Sequence, residues 1–381
     1  MISHPGAWAV GLALLSAPAA RGDESWVGLQ VLNVKPKIVA DRDGDGRSTF
    51  ELKGSLLPVL KDQGGRLRVR DYLGREGWTD KAAFVRVPDA PAYFTAAIRK
   101  DEKDPFAWCS RGVAWALNGQ NDQAIPDYTE AIRLDPKYVA AYLGRAGAWG
   151  DKREWDKAIR DLDEAIRINP AAAPLGPPAV YNHRGTLWLG KKEYDKAIRD
   201  FDEAVRIDPT FALAFNHRGN AWEDKGDADN AIRDYSEAIR IGLRDRRLDR
   251  ADPSVFVNRG NLWLGKKEYA KALADFDEAL RLDPKYNMAI HKKAYLLATC
   301  ADDRLRDVGR AEELMKVVVE LRPKGPLNEE LLGVLAAARG KFEDAIAHQS
   351  KALENAHYAD RSGAKARERL AAYRDKKAYR E

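Results

Sequence analysis

YNHRGTLWLGKKEYDKAIRDFDEAVRIDP, residues 181–209, decides how this chain is read. It divides at Gly190-Lys191-Lys192 into two segments of helical periodicity. In the first, Tyr181, Gly185 and Trp188 fall at i, i+4 and i+7, one face of a 3.6-residue period. Ala197, Phe201 and Ala204 do the same in the second. Neither helix can bury that face alone, so the unit needs neighbours.

The neighbours are in the sequence. Aligned on Gly185 and Pro209, the pattern returns from Gly112 to Pro136 with Trp115, Ala124, Tyr128 and Ala131 in matching places. It returns from Ala146 to Pro170 with Trp149, Ala158, Leu162 and Ala165, and at Gly219 with Trp222, Ala231, Tyr235 and Ala238. A further copy starts at Gly260, with Trp263, Ala272, Phe276, Ala279 and Pro284. Gly112 and Ala146 are 34 residues apart, as are Gly185 and Gly219. That period, with small residues where helices touch and an aromatic in each helix, resembles the tetratricopeptide repeat (TPR). The resemblance runs from Pro105 to about His357. It includes two degraded copies, Ala294 to Pro323 and Gly333 to Ala352, which brings the expectation to seven repeats.

The expected fold is therefore mainly α: an α-solenoid of about seven TPR-like repeats behind a small β-domain. Residues 1–20 contain the apolar run Ala7 to Ala20, ending in Ala17-Pro18-Ala19 before the polar Arg21-Gly22-Asp23-Glu24, the pattern of a secretory signal. Residues 21–88 hold short alternating segments broken by Gly and Asp, at 56–65, 66–74 and 77–87. With Gly77-Trp78 and Phe84-Val85 they resemble a bacterial SH3-like domain. At that size a barrel is marginal alone, so packing against the first helices is expected. Residues 89–104 read as a capping second helix, 105–357 as the array, and 358–381 as a closing polar helix. Asp-Pro at 104–105, 135–136, 208–209, 252–253 and 283–284 predicts helix starts, with Asp as N-cap and Pro first in the helix. Longer connections are expected at 171–178 and 242–252.

The 64 basic and 59 acidic residues are interleaved along the chain, so the net charge of +5 points to no nucleic acid. Mean hydropathy is −0.54, and no apolar run after residue 20 is long enough to span a bilayer. An exported bacterial protein (periplasmic, envelope-bound or secreted) is the expectation; oligomeric state is open.

Several constellations invite chemistry. The row Trp115, Trp149, Trp188, Trp222 and Trp263 occupies one place per repeat and reads as core. His183 and His217 each stand without a second ligand at i+3 or i+4, so no metal is expected. Asp41-Arg42-Asp43-Gly44-Asp45-Gly46 starts like a calcium loop, but Leu52 occupies the position of the bidentate Glu. Cys109 and Cys300 read as separate buried thiols. No His-Glu-x-x-His, Gly-x-Ser-x-Gly or phosphate loop is present, so neither catalysis nor a cofactor is expected. Each regular repeat carries an Arg sixteen residues before an Asp: Arg111/Asp127, Arg145/Asp161, Arg184/Asp200, Arg218/Asp234 and Arg259/Asp275. This predicts an ion-pair ladder from first to second helices.

The TPR resemblance implies recognition of a protein or peptide on the concave face lined by first helices. Positions three before, one after and four after the helix Gly would point into it. These hold Asn182, Thr186 and Leu189, then Asn216, Asn220 and Glu223, then Val257, Asn261 and Leu264. The candidate peptide-binding residues are Asn182, Asn216, Asn220, Glu223 and Asn261, because a carboxamide both donates to and accepts from a peptide backbone. Phe106, Val113, Ala140 and Leu143 would add an apolar stretch. The SH3-like resemblance implies contact with cell-wall peptides.

Overall fold

Alternation of buried and exposed side chains makes the N-terminal strands: along Arg66–Arg70 only Leu67 and Val69 are fully inside. The computed structural model describes residues 30–33, 39–41, 49–51, 56–70, 75–168, 177–244, 252–321 and 324–380. The apolar segment at 1–20, the calcium-like stretch beyond Asp41 and most of the two long connections lie outside these residues. Seven strands are described: β1 (Gln30–Asn33), β2 (Val39–Asp41), β3 (Thr49–Glu51), β4 (Leu56–Gln63), β5 (Arg66–Arg70), β6 (Glu76–Asp80) and β7 (Phe84–Arg86). All pairings are antiparallel, in the order β3-β2-β6-β5-β4-β1-β7. The β4–β5 hairpin turns through Gly64 at φ +63°, a left-handed conformation that glycine adopts without strain. Val31, Leu57, Val59, Leu67, Val69 and Phe84 form the core of this domain.

The domain is completed by helices. Leu32 of β1 and Val85 of β7 pack with Ala90 and Phe94 of α1 (Ala90–Lys100) and with Ala114 of α2 (Pro105–Leu117). Phe106 and Val113 of α2 join the same cluster. These two residues were expected to offer an apolar stretch to a ligand. They pack instead against the β-domain, because a sheet this small leaves apolar edge residues that only the first helices can cover.

The array continues in the first of two units, Met1–Lys225, with α3 (Asn121–Leu134), α4 (Val139–Asp151), α5 (Trp155–Ile168), α6 (Pro177–Gly190), α7 (Tyr194–Ile207) and α8 (Ala212–Lys225). The second unit, Gly226–Glu381, holds α9 (Ala228–Arg244), α10 (Pro253–Gly265), α11 (Tyr269–Leu282), α12 (Asn287–Thr299), α13 (Val308–Leu321), α14 (Pro326–Ala338), α15 (Phe342–Leu353) and α16 (Ala356–Arg374). Within the units the helices pair as read from the sequence, α2 with α3, α4 with α5 and α6 with α7 in the first, and α10 with α11, α12 with α13 and α14 with α15 in the second. A Cβ on Gly185 would lie 2.6 Å from the Phe201 ring, and one on Gly260 2.6 Å from Phe276. Glycine is thus required where the facing second-helix residue is one of these aromatic rings; Ala146, opposite Leu162, carries its methyl. The first helices α2, α4, α6, α10 and α14 are followed by a left-handed residue, Gly119 or Gly340 in two of them and Arg153, Lys192 or Lys267 in the others, whereas α12 ends at Cys300 with φ −49°.

The Asp-Pro motif has two roles rather than one. Asp104 and Asp252 are N-caps, accepting from Phe106 N at 2.9 Å and Ser254 N at 2.8 Å. Asp135, Asp208 and Asp283 instead close the preceding second helix, each donating its N–H to the carbonyl four residues back. Their side chains then bond the N–H two residues on, at Lys137, Thr210 and Lys285, and the next helix starts only after this turn. The turn satisfies the same carboxylate locally, which removes it from the N-cap position.

Candidate functional site

First helices are fixed in register by an arginine that joins three helices. Arg111 bonds Asp127 through Nε and Nη2, both at 2.7 Å. Arg145 and Asp161 (2.8 and 2.7 Å), Arg184 and Asp200 (2.8 and 2.6 Å) and Arg259 and Asp275 (2.9 and 2.6 Å) repeat the fork. The expected pairs that lie within one unit are thus formed; Arg218 and Asp234 lie in different units. The free edge of each guanidinium reaches the second helix of the repeat before, two residues past its Asp position. Arg111 reaches Thr95, Arg145 Thr129, Arg184 Asp163, Arg218 Asp202 and Arg259 Ser236. α1 therefore supplies Thr95 as a second helix would. In the sixth repeat Lys293 keeps only the link backwards, to Asp277. Each arginine also lies over the aromatic ring three residues earlier, from Trp108 at 4.8 Å to Phe256 at 6.0 Å.

The tryptophans are half-buried rather than core. Trp149 and Trp188 pack against the core on one face, and Trp149, Trp188 and Trp263 carry Lys157, Lys196 and Lys271 over the ring at 4.4–4.5 Å. The lysine stems shield apolar ring surface while the ammonium stays in water. A second set of ion pairs joins the helix turns of adjacent repeats: Lys225 to Asp195 at 2.6 Å, Lys266 to Asp229 at 2.9 Å, and likewise Lys152 to Asp122 and Lys191 to Asp156.

On this frame the candidate residues fall into three situations. Asn182 is fully buried; its Oδ1 accepts from His217 Nδ1 at 2.9 Å, and its Nδ2 has no hydrogen-bond partner among the described residues. Asn216, Asn220 and Glu223 are half-buried on α8, and Asn216 Oδ1 is buried without a partner among those residues. Asn261 of α10, in the second unit, occupies the place of Asn220 in its repeat, half-buried, with Oδ1 unpartnered among the described residues.

Burial pushes the imidazoles of His183 and His217 down to about 4, so both are neutral at neutral pH. The bond to Asn182 places the His217 proton on Nδ1. Burial likewise pushes the Cys109 thiol up to about 12, with Asp127 adding to the rise, and Cys109 and Cys300 are free, buried thiols as expected. Among the described residues no group of three or more His, Cys, Asp or Glu could hold a metal ion, and no helix is long and apolar enough to cross a membrane.

The family profile of the tetratricopeptide repeat matches residues 105–138, 178–211 and 253–286. No curated protein matches the chain. A tetratricopeptide repeat protein from Parabacteroides merdae is 14% identical over 71% of this chain and 98% of its own, with a TM-score of 0.51. The Cut9–Hcn1 hetero-tetramer of the APC/C is 15% identical over 65% of this chain and 45% of that one, with a TM-score of 0.50. YrrB, a TPR protein with an unusual peptide-binding site, is 20% identical over 52% and 97%, with a TM-score of 0.41. The repeats are tetratricopeptide repeats, and the fold is a TPR solenoid with a small antiparallel β-domain.

Proposed function

We propose that this chain of tetratricopeptide repeats is an exported, non-enzymatic scaffold that holds a protein or peptide by its main chain on the first helices of the central repeats. The observation that carries the reading is Asn216. Its Oδ1 is buried on a half-open helix face without a hydrogen bond among the described residues, one turn from Asn220. A buried, unmatched carbonyl costs about 1–3 kcal/mol, which the N–H of an extended peptide would recover. Asn261 presents the same unmatched oxygen in its own unit. Glu223 extends the α8 face for a donor on the partner. Asn182 acts from behind, holding His217 rather than reaching the ligand.

The test is affinity capture from the native cell envelope with the full chain, followed by titration of the captured partner. Asn216→Ala with Asn220→Ala is expected to weaken binding by about 1–3 kcal/mol. Undiminished affinity in a folded double variant moves the site elsewhere. Export predicts that the mature protein starts near Arg21, which N-terminal sequencing of envelope-fraction protein decides.

A second reading, attachment to the cell wall, draws on the β-domain. Trp78 of β6 stands directly opposite Arg68 of β5, on the face that also carries Arg66 and Arg70. Retention of the full chain on purified peptidoglycan, lost with Trp78→Ala, would favour it; no retention would remove it.

A further inference from the structure

In the sixth and seventh repeats the three first-helix positions that would face a ligand are all buried. They are His291, Tyr295 and Ala298 on α12, and Glu330, Val334 and Ala337 on α14. His291 is covered by Leu327 of α14, and Ala298 and Val334 lie in the core between α12, α13 and α14; at Tyr295, Glu330 and Ala337 the cover includes the chain's own C-terminal segment. Arg369 of α16 is 2% exposed and inserts between these helices. Its Nε donates to Gln349 Oε1 at 2.9 Å, its Nη1 to Tyr295 Oη at 3.0 Å, and its Nη2 to Tyr358 Oη at 3.0 Å and to Glu330 Oε1. The rings of Tyr295 and Tyr379 flank the guanidinium, each centroid 5.7 Å away. Tyr373 and Tyr379 pack with Ala336 and Ala337 at the end of α14.

An end cap needs only apolar contact with a polar outer face. Here a charge has been taken out of water, which is costly unless every donor is matched and a counter-charge is near. A carboxylate, an amide oxygen and two phenol oxygens take four of the five guanidinium donors, and the carboxylate supplies the counter-charge. A lysine ammonium would not match this planar set of acceptors.

We propose that Tyr295 of α12, Glu330 of α14 and Gln349 of α15 form an arginine-binding site in the last two repeats. The C-terminal segment occupies it in the free chain, and an arginine-bearing peptide takes that place in a complex. The site lies wholly in the second unit and is independent of the asparagine face of α8.

The probe is a fluorescent peptide of residues 361–380, titrated into full-length chains. Binding to the Arg369→Ala chain is expected to be at least tenfold tighter than to wild type, and to fall at least tenfold again in Arg369→Ala/Glu330→Gln. A peptide carrying Ala at position 369 should not bind. Equal affinity for wild type and Arg369→Ala, or indifference to Glu330, overturns the proposal. Hydrogen exchange on the wild-type chain decides the matter even where the variant does not fold. Displacement requires the amides of α16 to exchange at least tenfold faster than those of α12 and α14. Exchange of all three at one rate would make α16 an integral helix and overturn the site.

Discussion

At Gly185 an added methyl would meet Phe201 at 2.6 Å, whereas at Gly147, in the middle of α4, nothing lies within 4 Å. The two glycines therefore respond in opposite directions. Gly185→Ala is expected to destabilise by about 1–3 kcal/mol through overpacking. Gly147→Ala is expected to stabilise by up to about 1 kcal/mol, because alanine restricts the unfolded chain and favours helix. Thermal midpoints of the two variants check the pair, and a drop for both would misplace the helix contact. Lys192 and Lys267 hold φ +61° without being glycine. Left-handed backbone costs a residue with a Cβ about 1–2 kcal/mol, so Lys192→Gly should raise stability by roughly 1 kcal/mol, read from urea unfolding. An unchanged or lower midpoint would show that the Lys192 side chain compensates.

Pairs of helices are tied by the arginine fork more than by the surface pairs that flank it. Asp161 is 7% exposed and accepts both bonds from Arg145. Arg145→Ala leaves that carboxylate buried without a counter-charge, a loss of about 3–5 kcal/mol. Lys152→Ala breaks a bridge to an Asp122 side chain that is 81% exposed, and should leave the midpoint where it was. Denaturant titration of both variants decides whether the two ladders differ in kind; equal losses would refute the distinction. Lys293 illustrates the division of labour. Without an Asp on α13 to pair with, a lysine suffices, and only the bond to Asp277 of the preceding repeat remains.

For the whole molecule, the termini set how much of the first-helix face is open in each unit. The β-domain covers Phe106 and Val113 at the start of the first, and α16 with its tail covers Tyr295 and Glu330 in the second. Stability also carries a pH signature from the interior. His183 is buried, with its imidazole pushed from 6.5 down to about 4. Between those values the unfolded chain binds the proton and the folded chain does not. Stability from this group is complete above about pH 6.5 and is lost as pH falls toward 4, to a total of about 3 kcal/mol. Urea midpoints at pH 7 and 4.5 should differ accordingly, and His183→Gln should narrow the gap. A gap of the same size in that variant would assign the effect to carboxylates.

The helix pairs, their glycine contacts and the Arg–Asp ladder were legible in the sequence because each follows from spacing within one repeat. Gly185 and Phe201, or Arg111 and Asp127, sit sixteen residues apart across one short turn, so the period alone brings them together. The β-strands at 56–63 and 66–70 were legible from alternation for the same local reason. What spacing could not give is every contact whose partner lies at no fixed distance along the chain. The third bond of each arginine goes to Thr, Ser or Asp in the repeat before, over separations of 16 to 23 residues. Asp135 and Asp104 share a motif, yet only Asp104 caps a helix start, because α1 is already closed by Asp101 whereas Asp135 itself closes α3. Asn182 shares its place in the repeat with Asn216 but is sealed by His217 of the next first helix, α8. Arg369 finds Tyr295 across 74 residues, and nothing in the polar C-terminal sequence marks it as buried. The sequence by itself determined the repeat and its internal pairing, through helical periodicity. Only the tertiary structure decided which first-helix positions remain open, because their covering comes from segments outside the repeat.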